Sequence, residues 1–129
     1  MRIDFYVLKE PGGEARERFA CRIAEKAFGL GQRLHLLVGD AGAAQRLDEL
    51  LWTFRAGSFL PHAIDPAGGD PDHPITVGAA EPPELSGQVL VNLQDEVPAC
   101  FERFERVVEI VAADESSRQA ARRRFSFYR

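Results

Sequence analysis

The pattern of apolar and polar residues alternates between the period of strands and the period of helices. Residues 2–8 predict a strand with apolar side chains on both faces, which indicates burial on both sides. Residues 14–28 follow a helical period, bounded by Gly13 and Gly29. The helix is expected to bury Phe19, Ala20, Ile23, Ala24 and Ala27, and to turn Arg16, Glu17, Arg22, Glu25 and Lys26 toward water.

A second strand and helix follow directly. Residues 33–38 predict a strand that ends at Gly39, and Asp40 is placed to cap a helix that ends at Leu51 or Trp52. Strands and helices that alternate at this spacing predict right-handed crossovers and a mainly parallel sheet. The pattern therefore predicts the α/β class, with residues 1–129 forming a single domain.

The second half of the chain predicts shorter elements. Residues 54–73 are rich in proline and glycine, which indicates a long loop with at most a short strand at residues 58–60. Short strands are expected at residues 75–77 and 89–92, a short helix at 99–104, a last strand at 106–111, and a helix that begins near Asp114.

Composition and charge narrow the class of protein. The 129 residues are 45% hydrophobic and carry a net charge of −4, which suits one globular core and argues against a general binder of polyanions. Cys21 and Cys100 lie far apart without metal-ligand or disulfide spacing, as is typical of a reducing compartment. Because neither a long apolar run nor a signal-peptide pattern is present, we expect a soluble, cytoplasmic protein without membrane contact.

Catalytic motifs do not emerge from the sequence. The PGGEA turn lacks the lysine, hydroxyl and glycine spacing of phosphate-binding loops. His35 lies among leucines and is expected to be a sheet histidine. A metal site in the long loop is the less favoured interpretation of His62 and His73 with Asp65, Asp70 and Asp72, since loops are rich in such residues. We therefore expect no enzymatic activity, no cofactor and no metal.

The C-terminal helix carries an unusual pattern of charge. Read at 100° per residue, Arg118, Arg122, Phe125 and Arg129 fall within an arc of about 60°. The helix dipole favours cations only in the last turn and so leaves Arg118 unexplained. A basic stripe with an aromatic ring predicts a site for an acidic peptide that ends in an aromatic residue. A single nucleic-acid strand is the alternative ligand.

A second aromatic cluster surrounds the end of the second predicted helix. It contains Trp52, Phe54, Phe59, Pro61 and His62. One interpretation is a satellite core, because tryptophan is usually well buried. The other is a surface for a protein partner, because tryptophan and phenylalanine often anchor interfaces.

The block RLDELLW…SFLPH, the opening DFYVL and the terminal FYR resemble the chi subunit family of the bacterial DNA polymerase III holoenzyme. This resemblance implies a Rossmann-like three-layer α/β sandwich without nucleotide chemistry. It also implies an adaptor that joins the psi subunit of the clamp loader to single-stranded-DNA-binding protein. The adaptor would hold the acidic C-terminal tail of that protein, which ends in Pro-Phe, and would meet DNA only indirectly.

The same resemblance assigns roles to individual positions. It implies that Arg122 pairs with the terminal carboxylate of the tail and Arg118 with its upstream aspartates, while Val111 and Phe125 hold the terminal ring. The family often has lysine at the position of Ser126, a charge that Arg129 or Arg123 would replace. The psi-facing surface implied by the resemblance consists of Trp52, Phe59 and Pro61.

Overall fold

The computed structural model describes residues 2–55, 60–64, 74–79 and 87–129. These residues form six strands, three helices and a short 3-10 turn at Phe101–Arg103. The strands are β1 (Arg2–Val7), β2 (Leu34–Leu37), β3 (His62–Ile64), β4 (Ile75–Gly78), β5 (Gly87–Asn92) and β6 (Phe104–Val111), and the helices are α1 (Gly13–Gly29), α2 (Ala41–Thr53) and α3 (Glu115–Tyr128).

The described strands make a single parallel sheet in the order β1-β6-β5-β2-β4-β3. A large apolar core joins one face of this sheet to α1 and α2, through residues such as Ala24 and Leu47. A smaller core on the other face joins Leu90 and Val107 to Tyr128 of α3. The predicted α/β three-layer sandwich is therefore confirmed.

Local sequence signals account for several element boundaries. The Oδ1 atom of Asp40 accepts a 2.7 Å hydrogen bond from the Ala43 amide, which confirms the predicted cap of α2. All four residues of β2 are buried, as an apolar strand in the middle of a parallel sheet requires. No helix in the described ranges is both long and apolar enough to cross a membrane.

The expectation that the first strand is buried on both faces is wrong. β1 lies at an edge of the sheet and pairs only with β6 among the described strands, so Val7 is 66% exposed. Arg16 was expected to face water, but its Nε atom donates to the Ile110 carbonyl at 2.9 Å. Burial of this guanidinium lowers the pKa of Arg16.

Two predictions in the second half of the chain were also inaccurate. The strand expected at residues 58–60 falls partly outside the described residues, and Leu60 is buried but not in a strand. The strand in this region is β3, which begins at His62 because that segment pairs with β4. The helix expected at residues 99–104 is only the 3-10 turn, since Phe104 already begins β6.

Candidate functional site

Helix α3 crosses the sheet face beside β1 and β6, and its start is fixed by Asp114. One carboxylate oxygen of Asp114 accepts from the Gly12 amide at 3.1 Å, and the other accepts from the Ser117 amide at 3.1 Å and the Ser116 hydroxyl at 2.8 Å. These donors, with Gly12 the strongest, hold the pKa of Asp114 well below its usual range. Asp114 therefore ties the first turn of α3 to the beginning of α1.

A buried ion pair fixes the other half of the helix. The Nε atom of Arg124 donates to Oε1 of Glu109 at 2.8 Å, and both side chains are almost completely buried. Oε2 of Glu109 accepts from the side-chain Nδ2 of Asn92 at 2.9 Å and from the Tyr128 hydroxyl at 2.7 Å. Burial and the adjacent carboxylate raise the pKa of Tyr128 far above its usual range. This network sets the rotation of α3 on the sheet.

In this orientation, the exposed side of α3 lines an open groove of about 680 Å³ together with β1 and the end of β6. Arg118 and Arg122 are exposed along it, and Phe125 is 50% exposed. We call this site the α3 groove; its lining residues are Phe5, Val7, Val111, Arg118, Ala121, Arg122, Phe125 and Ser126.

The structure brings together most of the residues that the sequence assigned to a tail pocket. Val111, Arg118, Arg122, Phe125 and Ser126 all line the α3 groove. Arg129 is not a lining residue, but its guanidinium carbon lies 5.9 Å from the centre of the Phe125 ring. The helical periodicity of residues 114–129 was thus sufficient to place Arg118, Arg122 and Phe125 on one side of α3, whereas Val111, which ends β6, and Ser126 came from the family resemblance.

The sequence did not identify Phe5, Val7 and Ala121 as part of the groove. The alternation of residues 2–8 predicts core positions for Phe5 and Val7, because nothing in it shows that β1 is an edge strand. Glu109 was also missed. A lone acidic residue within the apolar strand RVVEIV predicts a buried partner, and this signal could have directed attention to Arg124.

The groove combines positive charge with an apolar floor. Val111 and Ala121 are buried at its base, and Phe5 meets Phe125 edge-on with ring centroids 5.5 Å apart. Among the described residues, Arg118 forms no ion pair, and Arg122 makes only a long contact of 3.5 Å to Glu115. Such a surface suits a ligand with an anionic group next to an apolar one.

The aromatic cluster at the end of α2 is divided between surface and core, since Phe54 packs against the large core while Trp52 is exposed. Trp52 is 54% exposed, and its ring lies 4.4 Å from the buried ring of His62. The Nδ1 atom of His62 lies 2.7 Å from the Leu60 carbonyl oxygen, and its Nε2 atom lies 3.2 Å from the Asp48 carbonyl oxygen. Pro61 is half-buried and Phe59 lies outside the described residues. The satellite-core interpretation therefore fails for Trp52; we call Trp52, Pro61 and His62 the Trp52 surface.

The α3 groove and the Trp52 surface lie at opposite edges of the sheet. The groove is beside β1, while His62 belongs to β3, and β1 and β3 are the first and last strands in the sheet order. Five strand spacings of about 4.8 Å separate the two edges by roughly 24 Å. Ligands at the two surfaces would therefore not compete for space.

Two side chains that could have served as a catalytic base or a nucleophile, His35 and Cys21, are buried in the core. His35 is buried with its Nδ1 atom 2.7 Å from the Thr76 hydroxyl, and burial lowers the pKa of His35 to about 4. Burial raises the pKa of the Cys21 thiol to about 12. No group of three or more metal-ligating side chains occurs within the ranges described; His73, Asp65, Asp70 and Asp72 fall outside them.

Comparison with known proteins identifies the family to which this chain belongs. The parallel α/β sandwich of the described residues is Rossmann-like, and the PGGEA turn after β1 does not match a phosphate-loop motif. The family model described as DNA polymerase III chi subunit, HolC, matches residues 1–129. The chain therefore belongs to the chi subunit family of DNA polymerase III.

Individual relatives agree with this assignment. DNA polymerase III subunit chi of Pseudomonas aeruginosa is 41% identical over 128 residues, which cover 99% of this chain and 89% of the relative. The Escherichia coli subunit chi is 33% identical, covering 97% of this chain and 88% of the relative. The Haemophilus influenzae subunit chi is 26% identical, covering 94% and 85%.

Proposed function

We propose that this chain binds the acidic C-terminal tail of single-stranded-DNA-binding protein in the α3 groove. Through the psi subunit it would link that tail to the clamp loader, as a soluble, cytoplasmic adaptor without catalysis of its own. The observation that carries the proposal is the pairing of two exposed arginines with a half-exposed phenylalanine ring above an apolar floor. Membership of the chi family supplies the replication context.

The apolar part of the groove suits the terminal aromatic residue of the tail. Phe125 offers one face of its ring, and Val111 and Ala121 form the base beneath it. Seating a phenylalanine side chain here would contribute about 1.5–3 kcal/mol through removal of apolar surface from water. The sequence preference for Pro-Phe at the end of the tail would arise from this part of the groove.

The charged part of the groove suits the carboxylates of the tail. Arg118 and Arg122 are one helical turn apart, about 6 Å along the axis of α3. In the proposed pose Arg122 pairs with the terminal carboxylate and Arg118 with upstream aspartates. Each charge-assisted contact contributes about 1.5–3 kcal/mol, so micromolar affinity is expected for the complete tail.

The proposed psi contact uses the Trp52 surface. An exposed tryptophan braced by a buried histidine provides a rigid aromatic anchor, as protein interfaces often use. Its position at the sheet edge opposite the α3 groove leaves both surfaces accessible at once. One chain could thus hold the tail and psi at the same time.

The tail contact is tested by fluorescence anisotropy with a labelled acidic peptide ending in Pro-Phe. We expect saturable binding that weakens as salt is added. Arg122→Ala should lower the affinity at least about tenfold, the value of one charge-assisted contact. Arg123 was one of two candidates to replace the missing lysine charge, but it is exposed on the same helix and does not line the groove, so Arg123→Ala is the matched control. Equal effects of the two substitutions would contradict the proposed site.

Direct binding of a single nucleic-acid strand is the alternative function, and the aromatic and basic character of α3 is the observation that favours it. The net charge of −4 argues against it. Titration with a labelled oligonucleotide, without any other protein, separates the two. Oligonucleotide binding as tight as that of the peptide, and sensitive to Arg122→Ala, would favour the alternative.

The psi contact is tested by co-purification of the two subunits. Trp52→Ala should release psi while leaving the affinity for the tail peptide unchanged. Leu30→Ala is the control, since Leu30 is 66% exposed at the end of α1, outside the Trp52 surface. Retention of psi by Trp52→Ala, with its fold verified by circular dichroism, would exclude this surface as the contact.

A further inference from the structure

Within the described part of the chain, the outer side of β1 is an edge of the sheet. Among the described strands β1 pairs with β6 alone, in the register that places Val7 opposite Val111. An edge strand leaves a row of backbone amides and carbonyls without partners in the sheet, and this row is a template for another extended chain.

The hydrogen-bond pattern identifies which residues of β1 face outward. The Leu8 amide donates to the Val111 carbonyl at 2.8 Å, so Leu8 directs its backbone groups toward β6. Successive residues of a strand direct these groups to alternate sides, so Tyr6 and Asp4 also face β6. Ile3, Phe5 and Val7 therefore present their amides and carbonyls to the open edge.

Two of these three outward-facing residues, Phe5 and Val7, also line the α3 groove. The side chains of Phe5 and Val7 form the wall of the α3 groove opposite Arg118 and Arg122. A chain that lies against this wall would therefore meet unpaired backbone groups on one side and the basic, aromatic surface of α3 on another.

We propose that the acidic tail binds in extended form as an additional strand on β1, with its backbone paired to Phe5 and Val7. This inference rests on the proposed function and adds the conformation of the bound tail. The positive charge of Arg118 and Arg122 selects an acidic occupant for this edge rather than a second copy of β1.

Strand pairing makes the two faces of the tail unequal. Side chains alternate in direction along a strand, so every second residue of the tail faces Phe125 and the arginines of α3. The intervening residues face away from α3. Main-chain pairing supplies part of the affinity, whereas the alternate side chains supply the specificity.

A scan of singly N-methylated tail peptides tests this arrangement without altering the protein. Anisotropy titrations should show affinity losses of about two- to tenfold at every second amide and little change at the amides between them, as expected for loss of individual hydrogen bonds. If the unmodified peptide binds in the groove but the losses follow no two-residue period, strand addition is overturned while the proposed function stands. If the unmodified peptide does not bind, the proposed function itself fails.

Two substitutions at Val7 provide the complementary test on the protein side. Val7→Pro removes an outward amide that is not used by the sheet, and proline is tolerated at such positions of edge strands. Val7→Ala is the matched control for loss of the side chain. We expect Val7→Pro to bind the peptide about two- to tenfold more weakly than Val7→Ala, with both folded by circular dichroism. Equal affinities of the two variants would also overturn strand addition.

Discussion

The ring of Phe125 meets Phe5 edge-on, with centroids 5.5 Å apart and ring planes inclined by 73°. This contact joins α3 to β1 across the groove and holds the Phe125 ring in one orientation. Because half of its surface remains exposed, the ring is positioned without being buried. Phe125 is therefore an oriented apolar surface beside two cationic side chains.

Removal of this ring should weaken tail binding. We expect Phe125→Ala to lower the affinity for the acidic peptide by about ten- to a hundredfold, from the apolar surface that the ligand would no longer cover. Phe125→Tyr should retain most of the affinity. Phe127→Ala is the control, since Phe127 is 64% exposed on the same helix but contacts Phe101 and Tyr128 instead of the groove. Titration calorimetry measures the affinity of the three variants for the peptide. Equal losses of affinity for Phe125→Ala and Phe127→Ala would contradict a specific role of the Phe125 ring.

Glu115 should compete with the tail for Arg122. Its Oε1 atom lies 3.5 Å from Nη1 of Arg122, and both side chains are largely exposed. Breaking an exposed ion pair of this kind changes affinity by about two- to fivefold. We therefore expect Glu115→Gln to increase the affinity for the peptide by that factor in low salt. Glu14→Gln removes the same charge from α1, and an equal increase there would show that only net charge matters.

The ion pair between Glu109 and Arg124 should dominate the stability of the α3 layer. Arg124→Met leaves the Glu109 carboxylate buried without its cation, and we expect a loss of about 3–5 kcal/mol in the free energy of unfolding. Urea denaturation measures this loss. Arg18→Ala, which removes an exposed pair with Glu14, should cost less than about 1 kcal/mol. If both variants lose a comparable amount of unfolding free energy, the buried ion pair contributes no more to stability than an exposed one.

His35 should make the protein less stable as the pH falls. Its pKa is about 4 in the folded protein and 6.5 in the unfolded chain, so between these values only the unfolded chain binds the proton. Stability is therefore lost as the pH decreases through this window, by about 2 kcal/mol between about pH 7.5 and pH 5. The measurement is urea denaturation at both pH values for the wild type and for His35→Gln. A variant that loses as much stability as the wild type would exclude His35 as the source.

Much of the fold follows from local signals that the sequence displays directly. The cap at Asp40, the start of the last helix near Asp114, and the helical period that places Arg118, Arg122 and Phe125 together depend on residues close in the chain. The parallel arrangement follows from strands that alternate with helices. These features could be predicted because their causes lie within a few residues of each other.

Features that depend on distant residues could not be predicted in this way. The pairing of β3 with β4 decides that the strand begins at His62, and the edge position of β1 decides that Val7 is exposed. The contact of Arg16 with the Ile110 carbonyl joins α1 to β6 across 94 positions. Phe5 and Val7 enter the groove only because α3 crosses beside the edge strand, which periodicity does not reveal.

The most direct test of the proposed tail site is a double-mutant cycle between Arg122 and the terminal carboxylate of the tail. Calorimetry would compare the acidic peptide with its C-terminally amidated form on the wild type and on Arg122→Ala. We expect amidation to weaken binding to the wild type by about tenfold or more, and to have little further effect on the variant. If amidation weakens binding to both proteins by the same factor, Arg122 does not contact the terminal carboxylate. The α3 groove would then not bind the C-terminal end of the tail as proposed.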